Sequence, residues 1–177
     1  MKKAADTRNE DFVSELITRV SESRKYRHLG IPPATLRDIA DRALSTHTDL
    51  RQVEKIVRYR LHNLVAPYLG DPDYGAMSRA LAGLPSDPAS PEVKHWCEQL
   101  LNTHASTRER IPLHETFYGE IFSLTGTPRV LLDVACGLNP FALPWMGLPL
   151  DTQYLAYDLH QPRVKMINAF LTHVHQE

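Results

Sequence analysis

Cysteine is scarce in this sequence. Cys97 and Cys136 are the only two, too few for a disulfide framework or a four-ligand metal site. No apolar run approaches the roughly 20 residues that a membrane-spanning helix needs. The opening M-K-K-A-A-D-T-R-N-E has no apolar core behind its lysines, so it does not read as a secretory signal, and the expected compartment is the cytoplasm. Glycine is sparse, eight in 177 residues, and no G-x-G-x-x-G dinucleotide fingerprint occurs. Neither internal repeats nor low-complexity tracts are visible. No charge of one sign dominates, since the net charge is −1, which leaves the partner open. Hydrophobic residues at 42% and charged residues at 23% are the balance of a globular chain long enough for one domain, or for one domain with a helical extension.

The charge is unevenly placed. Residues 19–60 hold ten Lys/Arg against five acids, a surplus of five, whereas residues from 111 onward hold three bases against six acids. A basic front half and an acidic rear half suit a polyanion on one part and a small molecule on the other. Helix surfaces that are merely rich in Arg and Lys give the same count.

Apolar spacing predicts helices over residues 11–26 (Phe12, Leu16, Ile17, Val20), from Pro33 (Leu36, Ile39, Ala40, Ala43, Leu44) and over 50–65 (Leu50, Val53, Ile56, Val57, Leu61, Leu64, Val65). Gly70-Asp71-Pro72-Asp73 reads as a turn and residues 84–91 as a connector. Ser90 suits an N-cap with Pro91 at the first helical position, ahead of a face of Val93, Trp96, Cys97, Leu100 and Leu101. A further helix is expected over 107–124, with Ile111, Phe117, Tyr118, Ile121 and Phe122 inward.

After Gly126-Thr127-Pro128 the pattern changes. Val130 to Val134 reads as a short buried parallel strand, closed by a turn at Gly137-Leu138-Asn139-Pro140. Tyr154 to Asp158 is a second strand ending in an acid, and residues 164–174 form a helix. The expected fold class is α/β: a helical N-terminal subdomain over 1–105, then the start of a Rossmann-like sheet over 106–177.

The strand–turn–helix unit is the sharpest local signal. Asp133 lies in the strand, Gly137 opens the turn, and Asp158 follows 21 residues later. A glycine turn lets backbone approach a nucleotide-like ligand, and an acid at the next strand end can accept both ribose hydroxyls. A plain α/β turn with a surface aspartate fits the same residues. In His104-Ala105-Ser106-Thr107-Arg108-Glu109-Arg110, Thr107 suits a helix cap and places two arginines in the first turn, where the helix dipole disfavours cations. A bound carboxylate or phosphate would account for them. So would salt bridges to Glu109 or Glu115. Cys97 on an apolar helix face and Cys136 at a strand end lack paired-ligand spacing and read as core or pocket lining. His173 and His175 read as part of a frayed end, and no metal is expected.

H-A-S-T-R-E-R at 104–110, D-V-A-C-G-L-N-P at 133–140 and P-W-M-G-L-P at 144–149 resemble the aminoglycoside-resistance 16S ribosomal RNA methyltransferases. These enzymes of drug-producing actinomycetes and resistant pathogens methylate N7 of a decoding-site guanine. The likeness extends to S-R-K-Y-R at 23–27, P-A-T-L-R at 33–37 and R-L-H-N-L-V-A-P-Y-L at 60–69, so it covers nearly the whole chain. It implies a class I methyltransferase sheet that uses S-adenosylmethionine and leaves S-adenosylhomocysteine. Arg108 would hold the cofactor carboxylate, with Thr107 and His104 shaping that pocket. Asp133, Ala135 and Gly137 would line the methionine and ribose portions, and Asp158 would take the ribose hydroxyls. Residues 1–105 would dock on the 30S subunit, with Arg24, Lys25, Arg27, Arg37, Arg58 and Arg60 meeting 16S rRNA phosphates. The full enzyme would act as a monomer, without membrane or metal.

Two strands are visible where such a sheet has about seven. The 177 residues therefore read as a fragment or as one half completed by another chain, inactive alone, with the target-base pocket beyond Glu177. The alternatives are a ribosomal-RNA-binding module without catalysis and a small-molecule methyltransferase whose helical front is a lid.

Overall fold

The computed structural model describes residues 2–65 and 71–174. Residues 66–69 of the R-L-H-N-L-V-A-P-Y-L segment, Gly70 of the expected turn, and residues 175–177, His175 among them, lie outside the described residues. The chain forms two compact units, Met1–Leu69 with Leu159–Gln161, and Gly70–Asp158 with Pro162–Glu177.

The first unit is three helices, α1 (Lys2–Ser21), α2 (Pro33–Leu44) and α3 (Leu50–Val65). Each buries one stripe at helical spacing: Val13, Leu16 and Val20; Leu36, Ala40 and Ala43; Val53, Val57 and Leu61. The small Ala40 and Ala43 leave room for close packing of α2 on α3. Glu54 clamps α1 to α3, accepting from Arg19 at 2.8 Å and from Arg58 at 3.0 Å. Pro33 stands at the first position of α2, as the sequence predicts. The first helix stops five residues short of the expected end at 26. The Ser23 hydroxyl donates to the Val20 carbonyl at 2.7 Å, and the chain turns so that Tyr26 and Leu29 can enter the core.

The second unit contains α4 (Tyr74–Leu81), α5 (Pro91–Leu101), α6 (Ala105–Arg108), α7 (His114–Thr125), β1 (Val130–Val134), β2 (Gln153–Tyr157) and α8 (Gln161–His173). Ser90 caps α5 through the Val93 amide, as expected. Helix α4, which follows the expected turn at 70–73 and was not expected from apolar spacing, is short and is capped by Asp73, which accepts from the Ala76 amide at 2.9 Å. The two compact units divide at 69/70 in the chain. Helix α5 packs with the second unit because Trp96 fills the space between Phe141, edge-on at 5.7 Å, and Phe170, stacked at 5.6 Å.

Strands β1 and β2 pair in parallel, Val130 opposite Gln153 and Val134 opposite Tyr157. Leu131, Tyr154 and Ala156 pack on the core. On the opposite face Val130, Leu132 and Val134 are 54%, 61% and 69% exposed. The run that reads as a buried strand is thus covered on one face only. No described helix is long and apolar enough to cross a membrane.

The expected helix over 107–124 is two helices with a break. Pro112 holds a short 3-10 segment, Ile111–Leu113, between α6 and α7. His114, the first residue of α7, is buried against Trp145, ring centres 4.8 Å apart. Burial, reinforced by the Arg110 charge, lowers its pKa against a smaller opposing effect of Glu115. The unfolded chain protonates this ring near its ordinary value of 6.5, the folded chain only at lower pH. The stability that His114 contributes is therefore whole above that value and declines as pH falls below it. Urea midpoints at about pH 7.5 and about pH 5.5 are expected to fall further for the native chain than for His114→Phe, which cannot titrate. Equal falls would show that His114 does not set this dependence.

Candidate functional site

The site lies in the second unit, where β1 runs into the Gly137 turn beside the end of β2. The Cys136 amide donates to the Tyr157 carbonyl at 3.0 Å, carrying the ladder two residues past the strand. Ala135 and Gly137 both adopt left-handed backbone, at φ 56° and 55°. For Ala135 that conformation costs roughly 1 kcal/mol. A side chain on Gly137 would meet nothing within 4 Å, so there is open space in front of this turn and glycine serves its dihedral angle. The Gly137 amide donates to Asp158 Oδ2 at 2.9 Å, which joins the two residues the sequence picked out.

Asp133 is turned to the support of this loop. Its Oδ2 accepts from Asn139 Nδ2 and from the Tyr154 hydroxyl, each at 2.8 Å. The Tyr118 hydroxyl donates to Asn139 Oδ1 at 2.9 Å. Burial pushes the Tyr118 hydroxyl up to about 12, so it stays a neutral donor, and Tyr154 is raised further by burial and by the Asp133 charge. Asn139, Tyr118 and Tyr154 were not singled out from sequence. Asn139 alone had a local signal, its place in the turn.

Asp158 is less open than the sequence reading had it. Its side chain is 10% exposed, and Arg163 Nη1 approaches both carboxylate oxygens, at 3.2 and 3.1 Å. Arg163, on α8, also donates through Nη2 to Asp71 Oδ1 at 2.8 Å and through Nε to the Tyr74 hydroxyl at 3.2 Å. Tyr74 in turn donates to Asp71 at 2.6 Å. Burial alone would raise Asp71, but hydrogen bonds from His104, Tyr74 and Arg163 hold its carboxyl well below the usual range. His104 Nε2 lies 3.5 Å from Asp71 Oδ1.

The H-A-S-T-R-E-R segment departs from its expected geometry. The cap position of α6 is His104, not Thr107. Thr107 sits inside the helix, buried, its hydroxyl directed at the carbonyls of Leu101 and His104. Arg108 is therefore in the last turn of a four-residue helix, where a cation is favoured, and the helix dipole gives no reason to expect an anion beside it. Arg108 itself is exposed and donates to the Asn102 carbonyl at 3.3 Å. Its backbone amide donates to the His104 carbonyl at 2.9 Å, but its side chain shares no hydrogen bond or ion pair with the other candidate side chains, whereas His104, Asp71, Arg163, Asp158 and Gly137 form one connected array.

Cys97 and Cys136 are buried free thiols. Burial raises both pKa values, that of Cys136 to about 12, so each is an inert lining group.

In the first unit, Arg24, Lys25, Arg27 and Arg60 are exposed and have no acidic partner among the described residues. Lys25 Nζ lies 3.1 Å from His62 Nδ1. Arg37 and Arg58 are committed elsewhere, to Glu10 at 2.6 Å and to Glu54 at 3.0 Å.

Two parallel strands joined through a glycine turn and a 3-10 helix (Asn139–Trp145), with a carboxylate at the second strand end and α8 following, define the architecture: the S-adenosylmethionine-dependent methyltransferase fold, present over its first strands. The family model described as "Ribosomal RNA methyltransferase (FmrO)" matches residues 22–177, and the chain belongs to that family. A 16S rRNA (guanine(1405)-N(7))-methyltransferase of Micromonospora rosea is 35% identical over 166 residues, covering 92% of this chain and 60% of the relative. One of the same name from Proteus mirabilis is 29% identical over 169 residues, covering 90% and 59%. The solved 16S rRNA methylase RmtB superposes with a TM-score of 0.69 at 30% identity, covering 90% of this chain and 59% of that one. The methyltransferase RmtF, solved with S-adenosyl-L-homocysteine, gives a TM-score of 0.65 at 26% identity, covering 93% and 60%. The chain thus spans about 60% of the length of the curated relatives it matches.

Proposed function

We propose that this chain carries the cofactor site and the ribosome-docking helices of an S-adenosylmethionine-dependent 16S rRNA methyltransferase. Its target is N7 of a decoding-site guanine in the 30S subunit, and its effect is aminoglycoside resistance. The observation that carries this reading is the hydrogen bond from the Gly137 amide to Asp158, beside open space, in a chain of this family.

The residues fit the cofactor. The Asp158 carboxyl pairs with the Arg163 guanidinium at the end of β2, a position from which its oxygens can accept from ribose hydroxyls. The left-handed turn at Ala135 and Gly137 has open space beside Gly137, where a ligand can approach the backbone. Exposed Arg108 takes the amino-acid carboxylate, with buried His104 and Thr107 fixing the turn beneath it. Asp133 braces the loop through Asn139 and Tyr154.

The cofactor supplies a sulfonium methyl group. Guanine N7 has a free lone pair, so no residue need serve as general base, and the protein's task is alignment. Arg24, Lys25, Arg27 and Arg60 provide phosphate contacts that position the enzyme without reading bases. Arg37 and Arg58, already paired, contribute less. A ribosomal target places the work in the cytoplasm, and one copy suffices.

Methyl transfer from labelled cofactor to 30S subunits tests this. Label is expected at N7 of one decoding-site guanine, and cells carrying the activity should resist 4,6-disubstituted deoxystreptamine drugs while remaining sensitive to apramycin. Resistance to apramycin as well, or label on an adenine, would overturn the target assignment.

A further inference from the structure

The buried array behind Asp158 has more parts than a ribose acceptor needs. Arg163 is 2% exposed, with its Nη1 on Asp158 and its Nη2 on Asp71. It is the third residue of α8, in the first turn, where the helix dipole disfavours a cation. Removing a guanidinium and two carboxylates from water is costly, and an apolar side chain of similar volume would pack there at no greater cost. What a buried ion pair provides that packing does not is a fixed direction. Asp71 lies 92 positions before Arg163 in sequence, and reaches it at the far edge of the site. Asp71 also lies 3.5 Å from His104, which begins the segment carrying Arg108.

We propose that Asp71 and Arg163 are positioning residues of the cofactor site, which aim the Asp158 carboxylate at the ribose and tie it through Asp71 to the His104 segment. This rests on the cofactor reading above. Arg163 Nη1 lies at nearly equal distances, 3.2 and 3.1 Å, from the two oxygens of Asp158, which centres the guanidinium charge on the carboxylate and holds it in place. The Gly137 amide bonds Oδ2 from the other side. Asp71 and Tyr74 fix the guanidinium in turn, so the direction of Asp158 depends on a residue that does not touch it. Through His104 the same array orders the turn on which Arg108 stands, so the ribose end and the amino-acid end of the site share one support.

The test compares two ligands on the 177-residue chain and its variants by calorimetry: S-adenosylhomocysteine and its 2′-deoxyribose analogue. The native chain is expected to prefer the ribose form by about tenfold, the worth of one charge-assisted hydrogen bond. In Asp71→Asn and Arg163→Met that preference should fall to about twofold, because the carboxylate is no longer aimed. A merely structural role would weaken both ligands equally and leave the ratio near tenfold, which would overturn the proposal. Asp71→Asn keeps the shape of the side chain and decides the matter if Arg163→Met does not fold. A native chain that binds neither ligand would instead refute the cofactor reading itself.

Discussion

Replacing Asp158 by alanine is expected to lower the affinity for S-adenosylhomocysteine by about 2–3 kcal/mol, roughly 30- to 150-fold. The acid would accept from the ribose, and hydrogen bonds to a charged group are worth more than neutral ones. The same change leaves Arg163 with one carboxylate instead of two, so stability falls as well. Thermal unfolding with and without ligand separates the two effects. Arg108→Ala should weaken binding less, by about tenfold, since an exposed guanidinium works in high dielectric. Affinity unchanged in both variants, measured by calorimetry, would remove the proposed site.

The second large effect is on RNA binding. Arg24, Arg27 and Arg60 are open to solvent and have no acidic partner among the described residues. Removing one cation from a phosphate lowers the slope of log K against log salt by about 0.7–0.9. The triple change to alanine is therefore expected to reduce the slope for 30S subunits by about 2–3 and the affinity by about 100-fold or more at roughly 0.1 M salt. Arg37→Ala and Arg58→Ala should leave the slope nearly as it was, because Glu10 and Glu54 already neutralise those side chains. A filter-binding series over salt concentration reads both. Equal slopes for the native chain and the triple variant would show that this surface does not meet RNA.

Much of the fold can be read from local pattern. Helix α3 runs over the 50–65 window that its apolar spacing marks, and β1 occupies the run 130–134, because each is governed by residues a few positions apart. The break between α6 and α7 was legible in principle: Pro112 lies inside the window read as one helix, and its missing amide ends the ladder there. Taking Thr107 for a cap rested on residue type alone, whereas its hydroxyl turns inward to the Leu101 carbonyl.

The site divides in the same way. Gly137 and Asp158 announce themselves by spacing along a strand–turn–helix–strand unit. Arg163 and Asp71 do not, since nothing within a few residues of either indicates the other. A buried cation is legible from sequence only when its counter-ions are near in the chain, and one of these is 92 positions away. Asp133 carried a signal but pointed to a different task. The strand position was right, and the tertiary partners Asn139 and Tyr154 turned the side chain into a brace.

A cofactor site at the Gly137 turn and the Asp158 carboxylate is the core of the proposed function. A structure of this chain determined with S-adenosylhomocysteine tests it most directly. The ribose hydroxyls should lie within hydrogen-bond distance of Asp158, with the amino-acid carboxylate toward Arg108 and the backbone of Ala135 and Gly137 alongside. A ligand seated elsewhere on the chain, or a ribose that leaves Asp158 untouched, would contradict it.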